Sequence, residues 1–477
     1  MNDAGQGPAP VSSTTGTKGS DGPQYLAPPP PGEPAFDDHH PPSAELVADC
    51  VHCGFCLPTC PTYALWGEEM DSPRGRIYLM NTGLQGEPMT PSMVQHFDAC
   101  LGCMACVTAC PSGVQYDKLI EATRAQVERR YDRSTSDRAL RSAIFAVFPY
   151  PRRLRLFRGP LRAYQASGLQ RLLRRSGLLS RVPPALAAME SLAPPLGRAD
   201  RIPAYTPAVG PRRGSVGVLL GCVQRTFFPG VNAATVRVLA AEGFDVHAPS
   251  RQGCCGALSM HNGRESEAAD FARALIDSLE DADVDYVVVN AAGCGSTMKE
   301  YAAVLAEDPD YAQRAARFQD KVRDVSELLD AMGSVAVRHP LPVTVAYHDA
   351  CHLAHAQGIR AQPRSLLSEI PGLELREIAE PELCCGSAGI YNVLNPQAAS
   401  ELGDRKAANV VGTGAELLVT ANPGCLMQVA SSLERTGQRI GLAHTVEVLD
   451  ASIRGLSAQH LVAAPASELA VHPTPAR

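Results

Sequence analysis

Two stretches of this 477-residue chain share one cysteine spacing. Cys50 to Pro61 reads CVHCGFCLPTCP and Cys100 to Pro111 reads CLGCMACVTACP, each C-x2-C-x2-C-x3-C-P. At that spacing three thiolates wrap one [4Fe–4S] cube while the fourth reaches across to a neighbouring cube. Two such quartets imply two [4Fe–4S] clusters with crossed ligation. Cys50, Cys53, Cys56 and Cys110 serve one; Cys100, Cys103, Cys106 and Cys60 serve the other. Zinc is the competing ion, but zinc sites usually pair C-x2-C units from separated knuckles, and a third nearby cysteine followed by C-P fits a cluster better. Disulfides would need an oxidising compartment, and no export signal is visible at the N-terminus.

A second cysteine pattern occupies the C-terminal half. Cys222, Cys254-Cys255-Gly256 and Cys294 reappear as Cys351, Cys384-Cys385-Gly386 and Cys425, displaced by 129, 130 and 131 residues. So small a drift over three landmarks marks a duplication. Adjacent cysteines cannot both point into a core from one strand, whereas a loop backed by glycine aims both at one centre. These eight cysteines are therefore candidates for redox or metal sites, one centre in each repeat or one shared between them. Their bland alternative is that of small buried hydrophobes. His348, His352 and His355 cluster beside Cys351 and read as partners that order the backbone of a metal loop, not as ligands.

The elements that must position these residues follow from composition and periodicity. Residues 1–43, rich in Pro, Gly, Ser and Thr, read as a disordered tail. Residues 44–131 form a ferredoxin domain whose signatures are joined by helices, from Asp71 through Met80 and from Ser92 to Cys100, which favours an α-helical type over a compact βαβ one. Arg74 and Arg76 either face cluster charge or pair with Glu68, Glu69 or Asp71. Residues 132–213 form a linker in which Arg138 to Arg181 carry eleven arginines and no acidic residue. That stretch suits an anionic membrane surface or an acidic partner, or else simply a solvated run of short helices; Pro149, Pro151, Pro160, Pro183 and Pro184 should break any long helix.

From residue 214 the pattern becomes strand–helix–strand. Apolar runs at Ser215–Leu220, Tyr286–Asn290, Val343–Tyr347 and Leu417–Ala421 alternate with amphipathic helices at Asn232–Glu242, Glu265–Glu280 and Pro396–Val411. The repeats span 214–338 and 339–456, and 457–477 should be a flexible tail. Each cysteine set then lies at the carboxyl ends of a parallel sheet, where α/β folds place ligands. The fold class is α+β multidomain: an α-helical ferredoxin domain followed by a duplicated α/β CCG domain with mainly parallel sheets.

A net charge of -7 argues against nucleic acid as the main partner. No run approaches the length of a membrane-spanning helix, so the expected location is cytoplasmic or peripheral on the cytoplasmic face of the inner membrane.

CVHCGFCLPTCPTYAL, DSPRGRIYLM, CLGCMACVTACPSG, AGCGSTMKEY, ELCCGSAGIYNV and TANPGCLMQ together resemble the iron–sulfur subunit family of bacterial glycolate oxidase. CCG repeats also occur in the cysteine-rich subunit of heterodisulfide reductase, in the third subunit of anaerobic glycerol-3-phosphate dehydrogenase and in lactate-utilisation proteins. Heterodisulfide reductase ends each of its repeats with C-x2-C, but here Ala291 and Asn422 stand where its extra cysteine would, so its five-thiolate clusters do not carry over. The resemblance implies an electron-transfer subunit with no catalytic residue of its own and no cofactor beyond its two [4Fe–4S] clusters, with further iron–sulfur in the CCG repeats an open alternative. FAD would sit in partner subunits that oxidise glycolate to glyoxylate, and a membrane quinone or other acceptor would take the electrons. The alternatives are service to a lactate or glycerol-3-phosphate dehydrogenase, or a heterodisulfide reductase-like thiol/disulfide oxidoreductase.

Overall fold

The computed structural model describes residues 33–196 and 201–463. The remainder of both expected tails lies outside these residues. Order begins earlier than the boundary at residue 44: Ala35 and Phe36 are buried in the ferredoxin core, and the Gln126 side chain accepts from the Asp37 N–H at 2.9 Å. It also ends later than residue 456, since Leu461 is buried on a short helix, Gln459–Val462. Two apolar residues among prolines are enough to anchor a segment whose overall composition reads as unstructured.

The C-P that closes the first signature opens the helix Pro61–Trp66, because proline at the first helical position gives up an N–H that has no acceptor there. Helix α1 (Pro73–Leu84) is capped by Ser72, which accepts from Gly75 N–H at 3.0 Å. Helices α2 (Pro91–Ala99) and α3 (Tyr116–Arg130) complete the domain around Ile77, Met80, Phe97, Leu119 and Ile120. This is the all-helical scaffold that the spacing of the signatures calls for.

The linker is a run of helices, one of the alternatives read from its sequence, but one of its prolines does not break it. Helices α4 (Thr135–Val147), α5 (Pro151–Ala166) and α6 (Leu169–Ser176) occupy its first half, and α5 continues through Pro160. A proline inside a helix strands the carbonyl four residues earlier; that residue is Leu156, whose side chain is 75% exposed, so water can serve the stranded group.

In the first repeat β1 (Tyr205–Thr206), β2 (Gly214–Val218), β3 (Phe244–His247), β4 (Tyr286–Val289) and β5 (Val322–Asp324) form one sheet in the order β1-β3-β2-β4-β5. Strand β1 runs antiparallel and comes from inside the expected linker. In the second repeat β6 (Val343–His348), β7 (Leu373–Glu377), β8 (Leu417–Thr420) and β9 (Gly441–His444) form an all-parallel sheet in the order β7-β6-β8-β9. Helix α7 (Pro229–Ala241) packs against α8 (Thr445–Ile453), and one buried apolar cluster runs through both sheets, from Val216 and Val288 to Val345 and Val419. Arg237 donates to both oxygens of Asp450, at 2.8 and 2.7 Å, fastening α7 to α8 across the junction.

The ferredoxin domain is seated on the repeats by α3. Arg124 donates to the Cys100 carbonyl at 2.5 Å and to the His261 carbonyl at 2.8 Å, while Lys118 pairs with Glu300 at 2.5 Å and Arg129 with Glu265 at 2.8 Å. Gly263, at φ +77°, lies so close to α3 that an added Cβ would stand 2.3 Å from the Arg124 carbonyl oxygen.

Candidate redox and metal centres

In both signatures the chain turns left-handed at the same two places, His52 and Gly102 before the second cysteine and Gly54 and Met104 after it. Such conformations are costly for His and Met, and they bend successive N–H groups toward one side, as loops that enclose anionic groups do. Cys50, Cys53, Cys56 and Cys110 line one pocket together with Cys106. On the other side, the thiols of Cys103 and Cys106 are pushed well above the usual range, first by burial and then by neighbouring sulfurs, Cys60 and Cys100 among them. Each end of the domain therefore collects thiols from both signatures.

Each arginine of α1 meets both of the alternatives set out for it. Arg74 holds Glu69 with two bonds, at 2.6 and 3.0 Å, and also donates to the His52 carbonyl at 3.0 Å in the wall of the first cysteine pocket, while Arg76 pairs with Asp71 at 3.3 Å. Arg76 is almost wholly buried, donates to Thr62 at 3.1 Å and to the His96 carbonyl at 2.6 Å, and faces the sulfurs of Cys100 and Cys60. Burial raises the Cys100 thiol, but Arg76 and Arg124 outweigh it and bring the group below the ordinary thiol range. A buried guanidinium beside an anionic thiolate site is a fixed counter-charge.

In the repeats each cysteine sits where a strand ends: Cys222 and Cys351 after β2 and β6, the CCG pairs after β3 and β7, Cys294 and Cys425 at the helices after β4 and β8. Gly256 and Gly386 have φ of +82° and +88°, and an added Cβ would lie 2.9 and 2.6 Å from the carbonyl oxygens of Ala268 and Ala399. The third residue of each motif thus has to be glycine for the pair before it to turn inward. The sulfurs of Cys222 and Cys254 are 3.6 Å apart. Neighbouring thiols interact in sequence from Cys222 through Cys254 and Cys255 to Cys294, and from Cys351 through Cys384 and Cys385 to Cys425. Cys222 and Cys351 are raised well above the ordinary thiol value, by the Cys254 and Cys384 thiols respectively and then by burial.

All eight repeat cysteines and Cys100 line one cavity of about 260 Å³. Four buried polar atoms of residues in its wall, Arg133 Nε, Gln224 Oε1, His352 Nε2 and Tyr391 Oη, have no hydrogen-bond partner. The thiols fit an iron–sulfur or other thiophilic centre: buried sulfurs at this density resist ionisation unless a cation takes them as ligands.

The histidines behave unequally. His355 bonds Thr108 at 2.7 Å and Arg360 at 2.9 Å, while His352 packs against His261 at 4.9 Å between ring centroids and meets Cys351 Sγ through Nδ1 at 3.6 Å. His348 does not follow the expectation of a supporting role: one of its ring nitrogens and the sulfurs of Cys385 and Cys425 all lie within 4.8 Å of one another. Its position as the last residue of β6, facing the same sheet edge as the cysteines, is the signal that sequence reading passed over.

Three family models match along the chain: 4Fe-4S dicluster domain at residues 46–114, glycolate oxidase iron–sulfur subunit, linker region, at 136–193, and cysteine-rich domain at 216–299 and 345–430. A probable glycolate oxidase iron–sulfur subunit of Bacillus subtilis (strain 168) is 38% identical over 414 residues, 84% of this chain and 93% of that protein. The chain belongs to the glycolate oxidase iron–sulfur subunit family. The glycolate oxidase iron–sulfur subunit of Escherichia coli (strain K12) is 35% identical over 86% of this chain and 94% of its own length. Lactate utilization protein A of Shouchella clausii (strain KSM-K16) is 32% identical over 50% of this chain and 98% of its own length. In this family member the dicluster domain carries iron–sulfur clusters, as the resemblance implied, and the α+β architecture is the one expected. Among the described residues no helix is long and apolar enough to cross a membrane.

Proposed function

We propose that this chain is the electron-transfer subunit of a complex that oxidises glycolate to glyoxylate, taking electrons from FAD-containing partner subunits and delivering them to a membrane quinone. The observation that carries the reading is the convergence of the second ferredoxin loop and both CCG loops on one buried region, with Cys100 and all eight repeat cysteines around a single cavity. Bound iron–sulfur clusters supply one-electron steps, which a flavin delivering an electron pair requires. Cys50, Cys53, Cys56 and Cys110 hold one cluster, and Cys100, Cys103, Cys106 and Cys60 the other; the shared pocket of the first set and the mutual influence of the second support this pairing.

The rest of the chain positions and insulates. Arg76 and Arg124 hold positive charge beside Cys100, and α3 fixes the ferredoxin domain over the cavity. The unpartnered His352 Nε2 and Tyr391 Oη can each donate to an acceptor with two carbonyl oxygens on an apolar ring, and Phe148, Phe227 and Ile390 supply the apolar wall. The complex would lie on the cytoplasmic face of the inner membrane, with the arginine-rich linker as its contact to anionic lipid.

The test is anaerobic purification with the flavin partners followed by substrate addition. Glycolate should bleach the iron–sulfur absorbance. Bleaching by lactate or glycerol 3-phosphate, with none by glycolate, would overturn the substrate. The likeness to lactate utilization protein A favours lactate as the second reading.

A further inference from the structure

We propose that the second repeat binds a metal centre with an imidazole ligand, His348, beside Cys385 and Cys425, and that the first repeat builds a centre from thiolates alone. The proposal deepens the reading of the repeats as redox units, yet it concerns how metal is held and requires neither a particular donor nor a particular acceptor.

Three observations converge on His348. A ring nitrogen of His348 and the sulfurs of Cys385 and Cys425 form a buried set with every pair within 4.8 Å. The side chain is only 2% exposed, and its Nε2 has no hydrogen-bond partner; a buried, unpaired imidazole nitrogen is a standing cost unless a cation takes its lone pair. The duplication supplies an internal control. The displacement that maps Cys351 onto Cys222 maps His348 onto Leu219, which packs into an apolar cluster with Cys222, Cys254 and Cys255. One copy has a nitrogen donor at this place and the other has a leucine.

The surroundings complete a mixed nitrogen and sulfur site. Cys351 and Cys384 extend the same row of thiols, and the Asn422 amide donates to Cys425 Sγ at 3.4 Å, fixing that sulfur in place. Buried Lys406 exerts its charge on Cys384 and Cys385 and offsets part of the negative charge that four thiolates leave around a divalent ion. Neutral imidazole with thiolates suits a thiophilic cation, either iron within an iron–sulfur group or zinc.

The test uses the full chain prepared anaerobically, with its flavin partners where they are needed for stability. If the ion is iron, pulsed electron paramagnetic resonance on protein labelled with 15N-histidine should show a directly bound nitrogen. If it is zinc, absorption at the zinc edge should show one nitrogen at about 2.0–2.1 Å among sulfurs at about 2.3 Å. His348→Ala should abolish either signal and lower metal occupancy of this centre at least about tenfold, while His348→Cys should retain the metal in an all-sulfur shell. Signals of the ferredoxin clusters serve as the check on folding in each variant. A sulfur-only shell in the unaltered protein, or unchanged occupancy in His348→Ala, would overturn the proposal. Reduction of the ferredoxin clusters by glycolate reads the proposed function separately, so either can fail alone.

Discussion

Cys103 of the second ferredoxin signature and Cys384 of the second CCG pair are buried in one apolar cluster, packed among Leu101, Leu383, Tyr391 and Leu402. Cys351 bears on the same sulfur of Cys103. Among the described residues no cysteine of the first repeat belongs to that cluster. The two repeats are alike in motif but unlike in what they offer the ferredoxin domain: the second packs its cysteines against the second signature, whereas the first holds α3 through His261, Glu265 and Glu300.

The crossed pairing makes Cys60 the most discriminating ligand. Cys60→Ser should impair the cluster held mainly by the second signature and spare the one beside Cys53. Iron and acid-labile sulfide content, with electron paramagnetic resonance of each cluster, is the measurement; damage confined to the first cluster would refute the pairing. On four irons per cube, the unaltered chain should carry about eight irons from the ferredoxin domain and about twelve or more if the repeats hold iron.

Asp450 accepts two bonds from Arg237, and its side chain is 8% exposed. Asp450→Ala removes a bidentate, partly desolvated pair and should cost about 1–3 kcal/mol. Calorimetry should show both repeats melting together at lower temperature, because they share one apolar core. Separation into two transitions would contradict that shared core.

Glu447 provides a pH signature. Burial, then the charge of Asp450, raises its carboxyl from the usual 4.5 to about 8. The groups facing it are the His444 N–H, which donates to it at 2.8 Å, Asp450 and, more weakly, Arg237. Between the two values the folded chain keeps a proton that the unfolded chain has lost, so stability is greatest below about pH 4.5 as far as this group is concerned and declines as pH rises toward 8. The contribution is on the order of a few kcal/mol. Glu447→Gln keeps an acceptor for the His444 N–H and should flatten this slope in denaturant titrations at pH 5 and pH 8.

Helix α5 turns Leu154 inward and leaves Leu156 and Phe157 exposed at 75% and 54%. Among the described residues Arg152, Arg155, Arg162, Arg171, Arg175 and Arg181 have no acidic partner in an ion pair. Vesicles containing anionic lipid should therefore bind the chain at low salt and release it as salt rises, and Leu156→Asp with Arg152→Gln and Arg155→Gln should weaken binding by about tenfold or more. Equal binding to neutral vesicles would exclude the electrostatic part.

Much of this was readable in the residue pattern. Identical spacing located both cluster loops, a constant displacement located both repeats, and short apolar runs located β2, β4, β6 and β8. What escaped depended on neighbours distant in sequence. Tyr205 and Thr206 become a strand because β3 offers a free edge, and Phe36 is ordered because α1 leaves a socket beside Gly83. Arg74 and Arg76 look equivalent two residues apart, yet helical geometry sends one to Glu69 and the first cysteine loop and buries the other beside Cys100 and Cys60. His348 stands beside a polar run that suggested a supporting role, and the sheet edge that brings it to Cys385 and Cys425 exists only once β6 and β8 pair.

Gly263 gives the junction between the domains an unusual vulnerability. Every cysteine lies elsewhere, and a methyl group added at residue 263 would touch none of them, yet it would press on the backbone of α3 at Arg124. The close approach of one glycine to α3 is thus what lets the two sets of cysteines stand as near as they do.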